Sequence, residues 1–424
     1  MLTGQNGILN RAGEAKTTNG VAQGEELIKV SVMDALTRGT GELTDENLRK
    51  ALSSNLGTEG KDYEIVGNEE IGWTVTIKEN EKDYKISSTG KIGEIEKVEG
   101  KSDEWEVVGN AVVKYLGNSD NIVIPNYVNG TKITEIGEKI FYNSEKTGTL
   151  TISEGIKTID TYAFADSKFT GELVLPSTLK EIGEFAFAGC SGFKGSLSIP
   201  GAIKTISKNA FISCTGFDGD LIINEGVEAI GEYTFCNCQG FKGNLIIAST
   251  VKEIGGSAFL TCKNLTGELK IPDGVEIIGD TAFLQCGSFS GNLTIPDSVK
   301  EIGNMALYGL NMEGTLDLGN GEGAQKTSNF MYLEKVTKVI FRKANQMTGT
   351  AYNMQYFKGM KSCWISSEMI SSIDTYAFKV SNENDAVIYT NATQDDPNWP
   401  VDWNPNNFKV VYNTPLSEYE KITY

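Results

Sequence analysis

The stretch IGEFAFAGCSGFKGSLSIPGAIKT, residues 182–205, decides the fold, because the chain writes it again at once as ISKNAFISCTGFDGDLIINEGVEA, residues 206–229. From Ile159 to Gly314 the shared wording is I-G-x-x-A-F-x-x-C-x-x-F-x-G-x-L-x-I-P-x-x-V-K-x, and it closes on itself every 24 residues. Phe187, Phe211, Phe235, Phe259 and Phe283 stand at that interval, as do Cys190, Cys214, Cys238, Cys262 and Cys286, and Gly195, Gly219, Gly243, Gly267 and Gly291. A fixed period of this size marks a solenoid, whose unit is too small to bury its own apolar face and is stabilised by its neighbours. Within a unit, Leu197, Ile199 and Pro200 alternate as a short strand with one face inward, and the residues after Pro turn the chain. Ile206, Ala210, Phe211 and Cys214 add apolar points in a segment too short for a full helix, read as a helical turn or irregular coil. Gly195 and its equivalents let the backbone bend into the next strand.

A solenoid grows in one dimension, so 424 residues need no single globular core. The net charge of −18 argues against nucleic acid or an anionic membrane as main partner. Histidine is absent, which removes Ser-His-Asp and Cys-His catalysis, His-ligated zinc and imidazole proton transfer. No nucleotide-binding fingerprint is present. No catalytic residue, metal ligand or cofactor site is assigned.

Ahead of the repeats, residues 1–24 are small and polar and read as a tether, without an apolar run able to span a bilayer. Leu27, Val30, Met33 and Leu36 then recur at helical spacing. A second helix is expected from Asp45 to Leu56, with Thr44 as N-cap and Gly57 as its stop. Three β-like runs follow, Tyr63 to Val66, Trp73 to Lys78 and Tyr84 to Ser87, giving a small α+β domain over 25–98 with a meander on its helices. Glu99 to Glu104 reads as a linker.

The string LTGQNGILNRAGEAK, then GELTDENLRKAL, a Trp-Thr-Val strand and YKISSTGKI, resembles the pilin-like N-terminal module of Gram-positive gut bacteria. The resemblance implies that a hydrophobic assembly helix lies upstream of the chain as numbered and that the protein is exported.

The repeat region is assigned to 105–424, regular over 159–314 and irregular with a C-terminal cap over 315–424. Its I-G-x-x-A-F and L-x-I-P wording is similar to the BspA-like leucine-rich repeat family of bacterial surface proteins. That resemblance implies a leucine-rich-repeat solenoid, an extracellular or cell-surface location and roles in adhesion. The fold expected is therefore α+β, a solenoid preceded by the small pilin-like domain. After Gly314 the wording decays: Leu307 has replaced the Phe, Leu316 and Leu318 carry a strand without Pro, and Val339 to Phe341 another. Ile373 to Phe378, IDTYAF, repeats Ile159 to Phe164. Trp399, Trp403 and Phe408 suit a cap over the open apolar end, with carbohydrate stacking as the competing reading.

The five periodic cysteines read as buried thiols filling a corner, because registry points them inward in parallel; strand spacing alone does not forbid a disulfide. Cys236 and Cys238 have C-x-C spacing but no second pair to make a metal site. Asp218-Gly219-Asp220 reads as a solvated turn against a calcium site, being one D-G-D short of calcium's ligand count. Asn264 and Asn292 fit the glycosylation sequon through repeat wording.

Binding is expected on the middle residue of each L-x-I, which faces outward: Val174, Ser198, Ile222, Ile246, Lys270, Thr294 and Asp317. Side by side these would make one continuous strip, apolar at Val174, Ile222 and Ile246 and polar beyond. The plainer account is that β-branched residues suit an exposed strand. Lys180, Lys204, Lys252 and Lys300 form a second strip, read as solvated, interrupted by Glu228 and Glu276 and guarding sheet edges. Two functions stand: a non-catalytic surface binder engaging a protein or glycan, or a structural spacer in a pilus-like or wall-associated assembly.

Overall fold

The computed structural model describes residues 22–38, 43–68, 72–78, 82–87, 90–320, 333, 335–342, 359–372, 386–399 and 408–423. Of the stretch read as a tether, residues 1–21 lie outside the described residues and 22–24 open a helix instead; IDTYAF and Trp403 also lie outside the described residues.

Every unit of the repeat region adds one coil to a solenoid, and two ladders of parallel strands run along it. One joins the L-x-I segments, as Leu197–Ile199, Leu221–Ile223 and Leu245–Ile247. The other joins Thr205–Ile206, Ala229–Ile230, Glu253–Ile254, Ile277–Ile278 and Glu301–Ile302. Inward-facing residues of both ladders enter one continuous core, from Trp105 to Ala392. The two Phe of the repeat stack in columns. Phe164, Phe187, Phe211, Phe235, Phe259 and Phe283 lie 5.0–5.6 Å apart between ring centroids. Phe193, Phe217 and Phe241 lie 5.9 and 5.3 Å apart. Leu307 continues the first column, fully buried.

The segment between the ladders is neither helix nor strand. Alternate amides bond within the coil and to the next coil: Ala186 N–H donates to Gly183 O and Ala188 N–H to Phe185 O, while Phe187 N–H donates to Ala210 O and Gly189 N–H to Ile212 O. This zigzag needs left-handed residues, and Tyr162, Phe185, Asn209, Tyr233, Ser257, Thr281 and Met305 hold φ of 54–58° at one repeat position. Gly195, Gly267 and Gly291 turn with φ of 77°, 77° and 81°. Gly219 answers a different demand: a Cβ there would stand 2.7 Å from the backbone N of Ser196 in the coil before.

Both ends are closed. The hairpin Trp105–Val108 with Ala111–Tyr115 covers the first coil, and Trp105 meets Phe141 at 6.4 Å. At the other end Trp399 and Phe408 pack against the core, which supports capping for these two. Trp399 Nε1 donates to Thr393 O at 2.9 Å.

The N-terminal unit holds α1 (Ala22–Arg38) and α2 (Asp45–Leu56) on an antiparallel sheet, β1 (Tyr63–Asn68), β2 (Gly72–Ile77), β3 (Lys82–Ile86) and β4 (Ile92–Glu94). Thr44 Oγ1 accepts from Asn47 N–H as the N-cap of α2. The buried stripe of α1 is Ile28, Val32 and Ala35, whereas Met33 is exposed. The spacing 27, 30, 33, 36 drifts about 180° around a 3.6-residue helix, so it cannot all face one core, while the 28, 32, 35 set stays within one stripe. In the stretch read as a linker, Glu99–Gly100 pairs with Tyr127–Val128. Asn126, nearly fully buried, ties it down by accepting from Val98 N–H and donating to Glu96 O and Glu154 O.

Strand alternation leaves Glu64, Thr74, Thr76 and Lys85 on the sheet face away from the helices. That polar face docks on the solenoid's turns. Thr74 Oγ1 meets Ser177 Oγ at 3.0 Å, Lys85 Nζ pairs with Glu154 at 2.9 Å, and Lys180 pairs with Glu64. Ser177 Oγ in turn donates to Glu154 Oε2 at 2.9 Å.

Candidate binding surface

The outward strip is built by period-two alternation: Leu197 and Ile199 are buried with Ser198 exposed between them, and Leu269 and Ile271 enclose exposed Lys270. Ser198, Ile222 and Ile246 stand opposite one another on three paired strands. Val174 is 64% and Ile246 47% exposed, while Ile222 is half-buried. Thr294 pairs in register with Asp317.

The strip is not one unbroken ladder. Pairing of the L-x-I segments lapses at Val174 and Lys270, where neighbouring coils bond upstream instead, through Gly171–Glu172 with Phe193–Lys194 and through the bridges Asn244–Thr266 and Glu268–Ser290. The buried Leu column beneath runs on through Leu173, Leu197, Leu221, Leu245, Leu269, Leu293 and Leu316. Lys270 leans to Glu268 at 3.8 Å. Asp317 is engaged within the chain: Arg342 Nε and Nη2 donate to its two oxygens at 2.8 and 2.5 Å. The sequence reading missed Val123, half exposed at the same position of an earlier coil and paired with Thr151. Its flanking Ile122 and Ile124 were the available signal.

Beyond Asp317 the strip turns apolar and is covered. Ile340, Trp364 and Tyr389 follow in register, and the closing segment, with its short helix Leu416–Tyr419, lies over them. Tyr419 is fully buried and its hydroxyl meets Ser362 Oγ at 2.9 Å. Trp364 Nε1 donates to Thr414 O at 2.9 Å, and Lys338 Nζ donates to the carbonyls of Tyr419, Glu420 and Ile422 at 3.2–3.3 Å. Burial lowers the Lys338 ammonium's pKa, opposed by nearby Glu420.

The four lysines of the second strip are exposed, as expected, and three of them also pair. Lys180 bonds Glu64, Lys204 meets Glu228 at 3.2 Å, and Lys300 meets Glu276 at 2.5 Å. Opposite charges at one position of adjacent coils lie within reach, so they pair along the stack.

All seven cysteines are free, and the five periodic ones are buried. Desolvation pushes the thiols of Cys190 and Cys286 up to about 12, and those of Cys214 and Cys262 well above the usual value. Protonated thiols in an apolar column make poor nucleophiles and poor metal ligands. The Asp218 and Asp220 carboxylates accept from Gly195 N–H at 2.8 Å and Asn244 N–H at 2.6 Å, the work of a turn. Among the described residues no group of three or more Cys, Asp or Glu is arranged to hold a metal ion, and no helix is long and apolar enough to cross a membrane.

The model of the BspA type leucine rich repeat region matches residues 134–266, 219–314 and 266–385, together more than half of the chain. No curated protein matches. Among solved structures, a leucine-rich repeat protein of Bacteroides ovatus is similar over 83% of this chain and 98% of its own, at 17% identity and a TM-score of 0.46. A leucine rich cell surface protein of Faecalibacterium prausnitzii is similar over 81% and 96%, at 16% identity and a TM-score of 0.39. A leucine-rich repeat protein of T. pallidum is similar over 49% and 86%, at 19% identity and a TM-score of 0.33.

Proposed function

The chain belongs to the BspA-type leucine-rich repeat family, and on that premise we propose that it is a non-catalytic binding protein, displayed on or released from a Gram-positive cell. Its uncovered strand face would engage a protein of the host or its matrix. The observation that carries this reading is the contrast along one face. Where outward positions are strongly apolar, at Ile340, Trp364 and Tyr389, the chain covers them with its own closing segment, yet among the described residues no segment packs over Val174 or over the adjacent pair Ile222 and Ile246. Contiguous apolar groups left open on a folded surface mark contact sites. Anchoring by an upstream helix and export rest on the pilin-like resemblance of the first hundred residues or so.

The test is an immobilised array of matrix proteins probed with the native chain and with Ile222→Asp/Ile246→Asp. Ile246 is exposed and Ile222 half-buried, both at outward strand positions, so the variant is used once its circular dichroism and melting profile are shown to be native. Loss of a captured protein by the variant supports the reading. Undiminished capture, or no capture by the native chain, sinks it and favours the spacer.

A further inference from the structure

The zigzag segment between the two ladders has an outer surface of its own. In each coil a turn joins the left-handed residue to the residue three places on, as Tyr233 O accepts Cys236 N–H at 3.1 Å and Ser257 O accepts Leu260 N–H at 3.1 Å. These two positions therefore stand as side-by-side columns along the stack. From Tyr142 to Tyr308 every coil places at least one large apolar side chain in them, among them Tyr162, Phe185, Ile212 and Leu284. Tyr142, Tyr233 and Met305 are 45%, 39% and 40% exposed, and the others are half-buried. The result is an open apolar band several coils long, the kind of surface that marks a contact site.

Spacing and charge together say what fits it. The rings of Tyr162 and Phe185 stack at 4.9 Å, and the Phe column beneath repeats at 5.0–5.6 Å. An α-helix laid along the stack renews its apolar face about every 5.4 Å, so one turn meets each coil. A strand shows a side chain to one face only every ~6.7 Å and would be about 4 Å out of step after three coils.

Beside the columns stand Glu138, Asp166, Glu184, Glu232 and Asp280. The two ammonium groups there are taken, Lys139 by Glu138 at 2.5 Å and Lys208 by Glu232 at 3.1 Å. Asp166, Glu184 and Asp280 have no ion-pair partner among the described residues. A second copy of the chain would bring acid against acid, whereas a basic partner is matched. Lys139 Nζ lies 5.6 Å from the centre of the Tyr162 ring, so the aromatic part of the band already holds one cation.

We propose that this band docks an amphipathic α-helix of a partner protein, its apolar face laid along the stack and its flanks basic. The surface is separate from the outward strip of the L-x-I strands.

The test is fluorescence anisotropy of a labelled peptide of three Leu-Lys-Lys-Leu-Leu-Lys-Leu heptads, about 30 Å long as a helix, titrated with the full chain at physiological salt. Parallel arms use an alternating Leu-Lys peptide of the same length and the heptads with Glu in place of Lys. The basic helical peptide should bind roughly tenfold or more tightly than either. At saturation it should slow iodoacetamide labelling of Cys236, the half-buried thiol within the band, several-fold. Tyr233→Lys should weaken binding roughly tenfold. Lys139 holds the same left-handed backbone position, so lysine fits there. Val108→Lys, at an exposed apolar residue of the capping hairpin, should leave binding unchanged. The proposal is overturned if the basic heptads fail to bind, if either parallel peptide binds equally, or if Cys236 labels at its free rate under saturating peptide. An unaltered affinity of Tyr233→Lys with a native melting profile overturns it as well.

Discussion

The Cys214 thiol donates a 2.9 Å hydrogen bond to the carbonyl oxygen of Phe187, 27 positions earlier, and the same oxygen accepts the amide of Cys190. The bond recurs from Cys190 to Phe164, Cys238 to Phe211, Cys262 to Phe235 and Cys286 to Phe259, at 3.0–3.1 Å. A buried thiol that fills space and also answers a carbonyl of the coil before explains the periodic cysteine better than packing alone. Ser167, buried one rung before Cys190, shows that a hydroxyl fits the column.

Cys238→Ala should therefore lower stability by about 1–2 kcal/mol, from the lost bond and the small void. Cys238→Ser should cost less. Urea midpoints of the two variants decide it, and a Ser variant weaker than the Ala variant would refute the bonding role. Under native conditions iodoacetamide should label Cys236 first, since it alone is not fully buried.

Met305 sits at φ 54° in a position that Asn209 fills at φ 58°. An L-residue in left-handed backbone costs about 1–2 kcal/mol, less for Asn, whose short polar side chain tolerates the region. Met305 is also 40% exposed, so little packing is lost on replacing it. Met305→Asn should raise the melting temperature; a fall would show that the thioether packs usefully.

Docking of the N-terminal sheet should respond to acid. Lys180, donating to Glu64, and Lys78 beside it hold that carboxyl at about 2, against an ordinary 4.5, with burial opposing. A depressed carboxylate stabilises the docked form above its free value and loses that contribution as pH falls through its depressed value. Protection factors of the β1 and β2 amides, corrected for the pH dependence of intrinsic exchange, should thus be unchanged from pH 7 to 5 and fall between pH 4.5 and 2. Glu64→Gln should show weaker protection already at neutral pH. Identical profiles for both chains would remove the ion pair from the docking.

Tyr419→Ala removes the anchor between Ile340 and Trp364. The closing segment should then release, shifting Trp364 fluorescence to the red and exposing apolar surface to a hydrophobic dye. An unshifted spectrum would mean that the Lys338 bonds alone retain the segment.

The 24-residue period by itself determined the solenoid, the Phe and Cys columns and the outward set from Val174 to Asp317, because a repeated letter in a stacked coil must meet its own copy. Thr44 and Gly57 likewise marked the ends of α2 by local backbone chemistry. Three things were decided only in three dimensions. The left-handed zigzag follows from coil-to-coil hydrogen bonds and leaves no residue signature, since Tyr, Phe, Asn, Ser, Thr and Met all occupy it. Asp317 and Lys180 were readable as surface positions but not as paired ones, since Arg342 and Glu64 lie 25 and 116 residues away. The docking of the N-terminal sheet joins polar faces whose alternation shows only that they point away from a core. Which surface they meet depends on how the whole chain closes.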